Sequence, residues 1–249
     1  MWPDVLDMRN FYASALGETV QQMIGHKMND FWPTMKGHDM IALGYTTPYL
    51  KEYRKTARHI MALAPAEQGA LSWDREEPNI IVLTEETLLP LKDKSVDCAL
   101  LIHALEFASH PRALIREIWR CLSDGGKLIL VVPNRLGLWS RRDKTPFGQG
   151  QTYSHLQITT FLTENMFTPL RTERALYMPP SQSAVLLSTA SAWETIGYQS
   201  FHNLAGVLII EAEKRVYAGH KVGEPAWEKR FQLAKKLATP LKKEPYDPA

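Results

Sequence analysis

The stretch Asp39 to Leu50, DMIALGYTTPYL, carries the first legible chemistry in this 249-residue sequence. An apolar run ends at Gly44, Tyr45, Thr46 and Thr47 follow, and Pro48 opens a helix-like segment. This is the strand, turn and helix order of a nucleotide-binding domain. A glycine there lets backbone approach a ligand, and a helix N-terminus offers free N–H groups and a positive dipole end to an anion. Thr47 is the expected N-cap and Pro48 pre-sets the first helical φ. The Thr46 and Thr47 hydroxyls add donors for a carboxylate. Farther along, His103, Ala104 and Glu106 end one apolar run, and Glu85 and Glu86 end another. In an open α/β sheet such positions fall at the carboxyl edge, where ligands bind. Tyr12, His103 and Tyr153 are the side chains suited to moving a proton there.

Other chemistries lack their residues. There is no GxSxG elbow and no GxxxxGK[ST] loop. Cys98, Cys121 and eight histidines fall at no metal-ligand spacing, so no metal is expected. The net charge of +2 does not argue for nucleic acid, and the aromatics do not interleave with basic residues. The segment from Lys221 to Ala249 is basic on balance and reads as a helix and solvated tail. Contact with RNA, anionic lipid or a partner is the alternative there, with nucleic acid not favoured. Apolar runs such as CALLIHALEFA are too short and polar to cross a bilayer, so no membrane partner is expected. Early acids in MWPDVLDMRNFY do not suit a secretory signal. Two cysteines in apolar segments fit a reduced, cytoplasmic protein.

The elements that must position these residues alternate. Apolar steps of three and four residues predict one helix from Asp4 to about Met28. Strands are expected at HDMIALGY, HIMALAP, NIIVLTEE, SVDCALLIHAL and KLILVVPN, and two more at TPLRTERALYM and LAGVLIIEAEKR. Helices are expected at PYLKEYRKTA, HLQITTFLTENM and AVLLSTASAWETIG. HPRALIREIWRCLSDGG reads as a helix with Pro111 in its first turn and Gly125–Gly126 as its stop. The fold class is α/β: a Rossmann-like, doubly wound, seven-stranded and mostly parallel sheet with an N-terminal helical cap. The expected parts are a cap over residues 1–36, the α/β domain over 37–220 and a basic helix or tail over 221–249. The loop from Arg135 to Ser154 is long enough to serve as a substrate lid.

From Leu89 to Asn134 the chain reads LPLKDKSVDCALLIHALEFASHPRALIREIWRCLSDGGKLILVVPN. This resembles the class I S-adenosylmethionine (SAM)-dependent methyltransferases with the pattern LPF.D.SFD…H.LEH…P…L.E..R.L.PGG.L….PN. FYASALG and LGYTTPYL resemble a bacterial, largely alphaproteobacterial, subgroup. The resemblance implies SAM as cofactor, held around Gly44, Tyr45, Thr46, Thr47, Glu85, Glu86, His103 and Ala104. It also implies that bulk at Gly44, as in Gly44→Val, abolishes binding. Against the family's LDLGCGTG turn, Ala42 stands for the acid, and Thr46 and Pro48 stand for two glycines. Ala64 stands where an acid holds the SAM ribose, with Glu67 as a nearby substitute. No [DN]PP[YF] motif is present, which argues against methylation of adenine or glutamine nitrogens. Some members of the class act only with a small partner subunit, so a protein partner or a second copy of the chain is admitted.

Two further readings remain. The altered turn and Ala64 motivate a non-catalytic methyltransferase-fold scaffold or binding subunit. A nucleotide-dependent oxidoreductase is disfavoured because no GxGxxG follows the first strand.

Overall fold

The computed structural model describes residues 2–72 and 79–216. The basic segment 221–249 lies outside the described residues. In chain order the elements are α1 (Val5–Tyr12), α2 (Ala15–Phe31), β1 (Asp39–Gly44), a 3-10 turn (Thr47–Tyr49) and α3 (Leu50–Thr56). Then come β2 (His59–Pro65), β3 (Ile81–Thr84), β4 (Val96–Ile102), α4 (Pro111–Cys121) and β5 (Leu122–Pro133). The last are α5 (His155–Glu164), β6 (Phe167–Ala175), α6 (Ala184–Ser188), α7 (Ala190–Ser200) and β7 (Val207–Lys214).

The seven strands form one sheet in the order β3-β2-β1-β4-β5-β7-β6. β1 to β5 pair in parallel, while β7 runs antiparallel to β5 and β6. The chain winds outward from β1 in one direction and from β4 in the other, so the switch point lies where Gly44 pairs with Ile102. Alternation along β1 builds both layers. Met40 and Ala42 join a core under the N-terminal helices, and Ile41 and Leu43 join a second core with Leu114, Ile115 and Ile118 of α4.

Two sequence expectations are corrected at helix ends. The N-terminal helix is two helices, broken at Ala13–Ser14. Asp4 caps α1 by accepting from Leu6 N, and Ser14 caps α2 by accepting from Gly17 N at 3.1 Å. Apolar periodicity runs across the break, because both helices bury the same side of the cap. α4 keeps Pro111 in its first turn but stops at Cys121, short of Gly125–Gly126. Leu122 is already extended and pairs with Val96, and the register skip before Cys98↔Lys127 takes up the intervening residues. The glycine pair serves that irregularity in the sheet.

The cap is tied to the antiparallel edge by one carboxylate. Glu211 of β7, 3% exposed, accepts from Trp32 Nε1 at 2.9 Å and from Arg171 Nε at 2.7 Å. Arg171 Nη2 also donates to Phe31 O at 2.8 Å, closing the end of α2. Burying a carboxylate is tolerable only with such paired donors. No helix among the described residues is long and apolar enough to cross a membrane.

Both cysteines are buried, and burial pushes the Cys98 thiol up to about 12 and the Cys121 thiol up to about 11. Only the thiolate reacts. Native protein at pH 8 is therefore expected to leave 5,5′-dithiobis(2-nitrobenzoate) unreduced over an hour, with two thiols titrating once denaturant is added. Labelling of the native chain within minutes would contradict the burial.

Candidate active site

At the switch point, Gly44 ends β1 with φ +91°, a left-handed conformation that L side chains rarely adopt. A Cβ there would lie 2.3 Å from Ile102 O and 2.7 Å from His103 O. The glycine therefore admits the backbone of β4 rather than a ligand. The turn beyond it also differs from expectation. Thr47 is the first residue of the 3-10 turn, not an N-cap, and α3 begins only at Leu50 and spans seven residues. Thr46, which precedes the 3-10 turn, is in the αR region (φ −96°, ψ −13°) and its side chain makes no capping bond. A capping hydroxyl needs extended backbone at its own residue. Thr46 Oγ1 is consequently buried with no hydrogen-bond partner.

Beside this turn, at the carboxyl end of β1, along β2 and at the start of β3, lies a cavity of ≈ 430 Å³. Gly44, Tyr45 and Thr47 form one wall, Ala64 and Gln68 another, and Val5 and Arg9 of α1 a third. Gln68 is 3% exposed, yet neither its Nε2 nor its Oε1 has a hydrogen-bond partner. Its backbone is fixed, with Gln68 N donating to Pro65 O at 2.9 Å and Val5 N donating to Gln68 O at 3.0 Å. A buried amide with both ends unsatisfied costs stability unless something else meets it. Glu67, the expected substitute for an acid at Ala64, is exposed and off the wall. The β2 exit turns its neighbour inward instead. Nothing in the local sequence pattern separates Gln68 from Glu67, and only the turn geometry does.

Next to the cavity is a box of rings. Tyr12 Oη lies 2.7 Å from His103 Nε2 and 3.0 Å from Tyr49 Oη. Tyr45, from the cavity wall, stacks on Tyr12 with centroids 5.5 Å apart, and Phe147 sits 4.7 Å from the His103 ring. His103 is fully buried with φ +52°, an outlying conformation for a bulky residue. Glu106, also buried, brings Oε1 to 3.3 Å from His103 Nδ1 without reaching hydrogen-bond geometry. Its Oε2 accepts from Ala104 N at 3.2 Å. Burial, reinforced by Tyr49, holds the Tyr12 phenol well above its ordinary range, and burial likewise raises Tyr49 and Tyr45.

The structure thus brings Tyr12 and His103 together and sets Gly44, Tyr45 and Thr47 on the cavity wall. The remaining candidates are elsewhere. His103 belongs to the ring box rather than the cavity, and Ala104 is buried in the opposite core. Glu85 is exposed, and Glu86 Oε1 accepts from His110 N at 3.0 Å. Tyr153 belongs to the opposite core, where burial and the nearby Glu106 push its phenol up to about 12. The loop 135–154 is pinned at its centre, with Trp139 Nε1 donating to Met178 O at 2.8 Å and both Trp139 and Phe147 buried. Arg9, Gln68 and Tyr49 are the wall and box residues that sequence reasoning missed.

A wider groove of ≈ 720 Å³ runs between α2 and α6–α7, past Lys27, Arg174 and Tyr198. Nearly half of its lining is exposed, and it lies away from the switch point. The smaller cavity has the position and the unsatisfied polar groups of a ligand site.

Comparison with known proteins gives a domain match over part of the chain and a shared fold. Residues 41–130 match the family model described as a methyltransferase domain. A SAM-dependent methyltransferase from Thermotoga maritima, described as a possible histamine N-methyltransferase, superposes with a TM-score of 0.62 at 15% identity, covering 85% of this chain and 96% of that one. The putative methyltransferase in complex with the Trm112 activator of Haloferax volcanii gives 0.53 at 16% identity, covering 78% and 94%. Residues 41–130 thus match a methyltransferase domain, and the fold is the one shared by these SAM-dependent methyltransferases. Among curated proteins, the uncharacterized protein YafS of Escherichia coli (strain K12) is 24% identical over 155 residues, 62% of this chain. The match spans 57% of the length of that relative.

SAM is the cofactor of these structural neighbours, and the cavity meets three of its demands. Gln68 offers a buried amide with a free donor and a free acceptor, suited to ribose hydroxyls. Arg9 at the cavity wall is a cation for the methionyl carboxylate. A volume of ≈ 430 Å³ lies within the range of small-molecule sites. Ala42 and Ala64 supply no charge, so these contacts replace the usual acids rather than reproduce them.

Proposed function

We propose that the chain is a SAM-dependent methyltransferase that holds SAM in the cavity over β1–β3 and receives its acceptor at the adjoining ring box. The buried, unsatisfied Gln68 amide on that cavity wall is the observation that carries this reading. SAM supplies a methyl group on a positively charged sulfur. The protein's part is to align the acceptor and keep water out. Gln68 holds the ribose, Arg9 meets the carboxylate, and Gly44, Tyr45 and Thr47 bound the methionyl end. His103 and Tyr12 face the acceptor, and Tyr153 stays in the core behind them. The working unit is the α/β domain with its helical cap, acting in the cytoplasm. A small partner subunit of the kind seen with the Haloferax volcanii neighbour fits the same reading.

A scaffold role is the competing reading. It is favoured by the hydrogen-bonded rings of Tyr12, Tyr49 and His103, which close the space beside Gly44. Ligand-linked stability separates the two. S-adenosylhomocysteine at 100 times its dissociation constant adds about 2.7 kcal/mol to native stability. For a chain of this size that raises Tm by about 5–10 °C. No rise at millimolar S-adenosylhomocysteine would favour the scaffold.

A further inference from the structure

We infer that the methyl acceptor carries a hydroxyl on an aromatic ring, and that this hydroxyl takes the seat on His103 Nε2 now filled by the Tyr12 phenol. The inference rests on the proposed methyl transfer and names its substrate class.

The seat has the shape and polarity of a phenol. Its walls are ring faces and edges: Tyr45 stacked at 5.5 Å, Phe11 edge-on at 5.1 Å and Tyr49 edge-on at 5.9 Å. Its polar contacts are the 2.7 Å bond to His103 Nε2 and the 3.0 Å bond to Tyr49 Oη. A flat aromatic hydroxyl satisfies both, whereas an alkyl alcohol leaves the ring faces unpacked. The seat also adjoins the cofactor cavity. α1 presents Arg9 to the cavity and Tyr12, one turn on, to His103. The 3-10 turn does likewise with Thr47 and Tyr49.

His103 is held for the task at a cost. Its left-handed backbone, at φ +52°, persists only because its surroundings over-determine it, and such strain gathers at functional sites. Glu106 lies behind the ring at 3.3 Å from Nδ1, where a carboxylate offsets the charge the imidazole gains on taking a proton.

The transfer balances. An oxygen lone pair of the acceptor forms the new O–CH3 bond, and the C–S bond breaks with its electron pair remaining on sulfur, giving S-adenosylhomocysteine. The acceptor proton passes to His103 Nε2 and then to solvent. The Tyr12 side chain, the last of α1 beside the break at Ala13–Ser14, must swing out of the seat for the exchange.

The test uses 4-fluorophenol as probe and Tyr12→Ala, which removes the ring that fills the seat. Fluorine NMR is expected to show 4-fluorophenol bound to the variant at least tenfold more tightly than 4-fluorotoluene, and bound to the wild type more weakly because there it must displace the Tyr12 ring. With SAM present the variant is expected to form 4-fluoroanisole. Adding His103→Gln should cut that product by about a hundredfold or more. If Tyr12→Ala does not fold, Tyr12→Leu leaves the hydroxyl end of the seat open and serves in its place. No preference for the phenol, or bound phenol with no 4-fluoroanisole in a variant that calorimetry shows to bind SAM, would overturn the inference. Failure of SAM to bind the wild type would overturn the proposed function and this inference with it. Calorimetry reads that failure separately from the NMR signal of the seat.

Discussion

Gly44→Ala is expected to abolish the native fold rather than weaken a ligand. The added methyl carbon would stand 2.3 Å from one carbonyl oxygen and 2.7 Å from the next, both on the backbone at the end of β4. The residue is also at φ +91°, where alanine is strained whatever the space. β1 and β4 are neighbours in the centre of the sheet, so neither can shift without opening both cores. A destabilisation above about 4 kcal/mol is of the kind reserved for such central faults. In a chain of this size that lowers Tm by about 8–16 °C or leaves the protein insoluble. Circular dichroism melts of any soluble fraction would measure it, and a wild-type melt would show that the sheet yields at its switch point. The same clash disqualifies Gly44→Val as a control for cofactor binding, because loss of binding would follow from loss of fold.

Gln68→Leu is expected to move stability and affinity in opposite directions. Leucine is close to glutamine in size and removes two buried polar atoms that have no partner in the protein. Relieving an unsatisfied buried amide is worth about 1–3 kcal/mol, so the ligand-free variant should melt higher than the wild type. The same change deletes the hydrogen bonds proposed for the SAM ribose, and binding of S-adenosylhomocysteine should weaken about ten- to a hundredfold. A merely structural glutamine would lose stability on substitution and leave affinity to follow the fold. Thermal melts with and without the ligand separate the two.

Much of this was legible in the sequence because it was written in apolar periodicity. Five of the seven strands fall within the runs expected for them, while β6 starts one residue earlier, at Phe167, and β5 five residues earlier, at Leu122. A sheet covered on both sides demands near-continuous apolar segments. The doubly wound, mostly parallel sheet and the helical cap follow from alternation and from the Leu89–Asn134 pattern. The failures cluster where backbone geometry, rather than side-chain type, decides. The Thr46–Pro48 segment has the composition of a capped helix start, yet the αR conformation at Thr46 spends it on a 3-10 turn. Gly125–Gly126 has the composition of a helix stop, yet Leu122 is drawn into the sheet first. At the site, Tyr12 and His103 were singled out from type and position, but the bond between them spans 91 residues and no local pattern announces it. Gln68 is an ordinary loop residue until the turn after β2 sets it against α1.

Hydrogen–deuterium exchange with and without S-adenosylhomocysteine tests the central claim most directly, because it reports where the ligand sits. Protection is expected in the backbone amides of residues 44–49 and 66–72 and in α1, with α6 and α7 unchanged. Protection confined to the groove between α2 and α7, or none at saturating ligand, would contradict the assignment of the cavity over β1–β3.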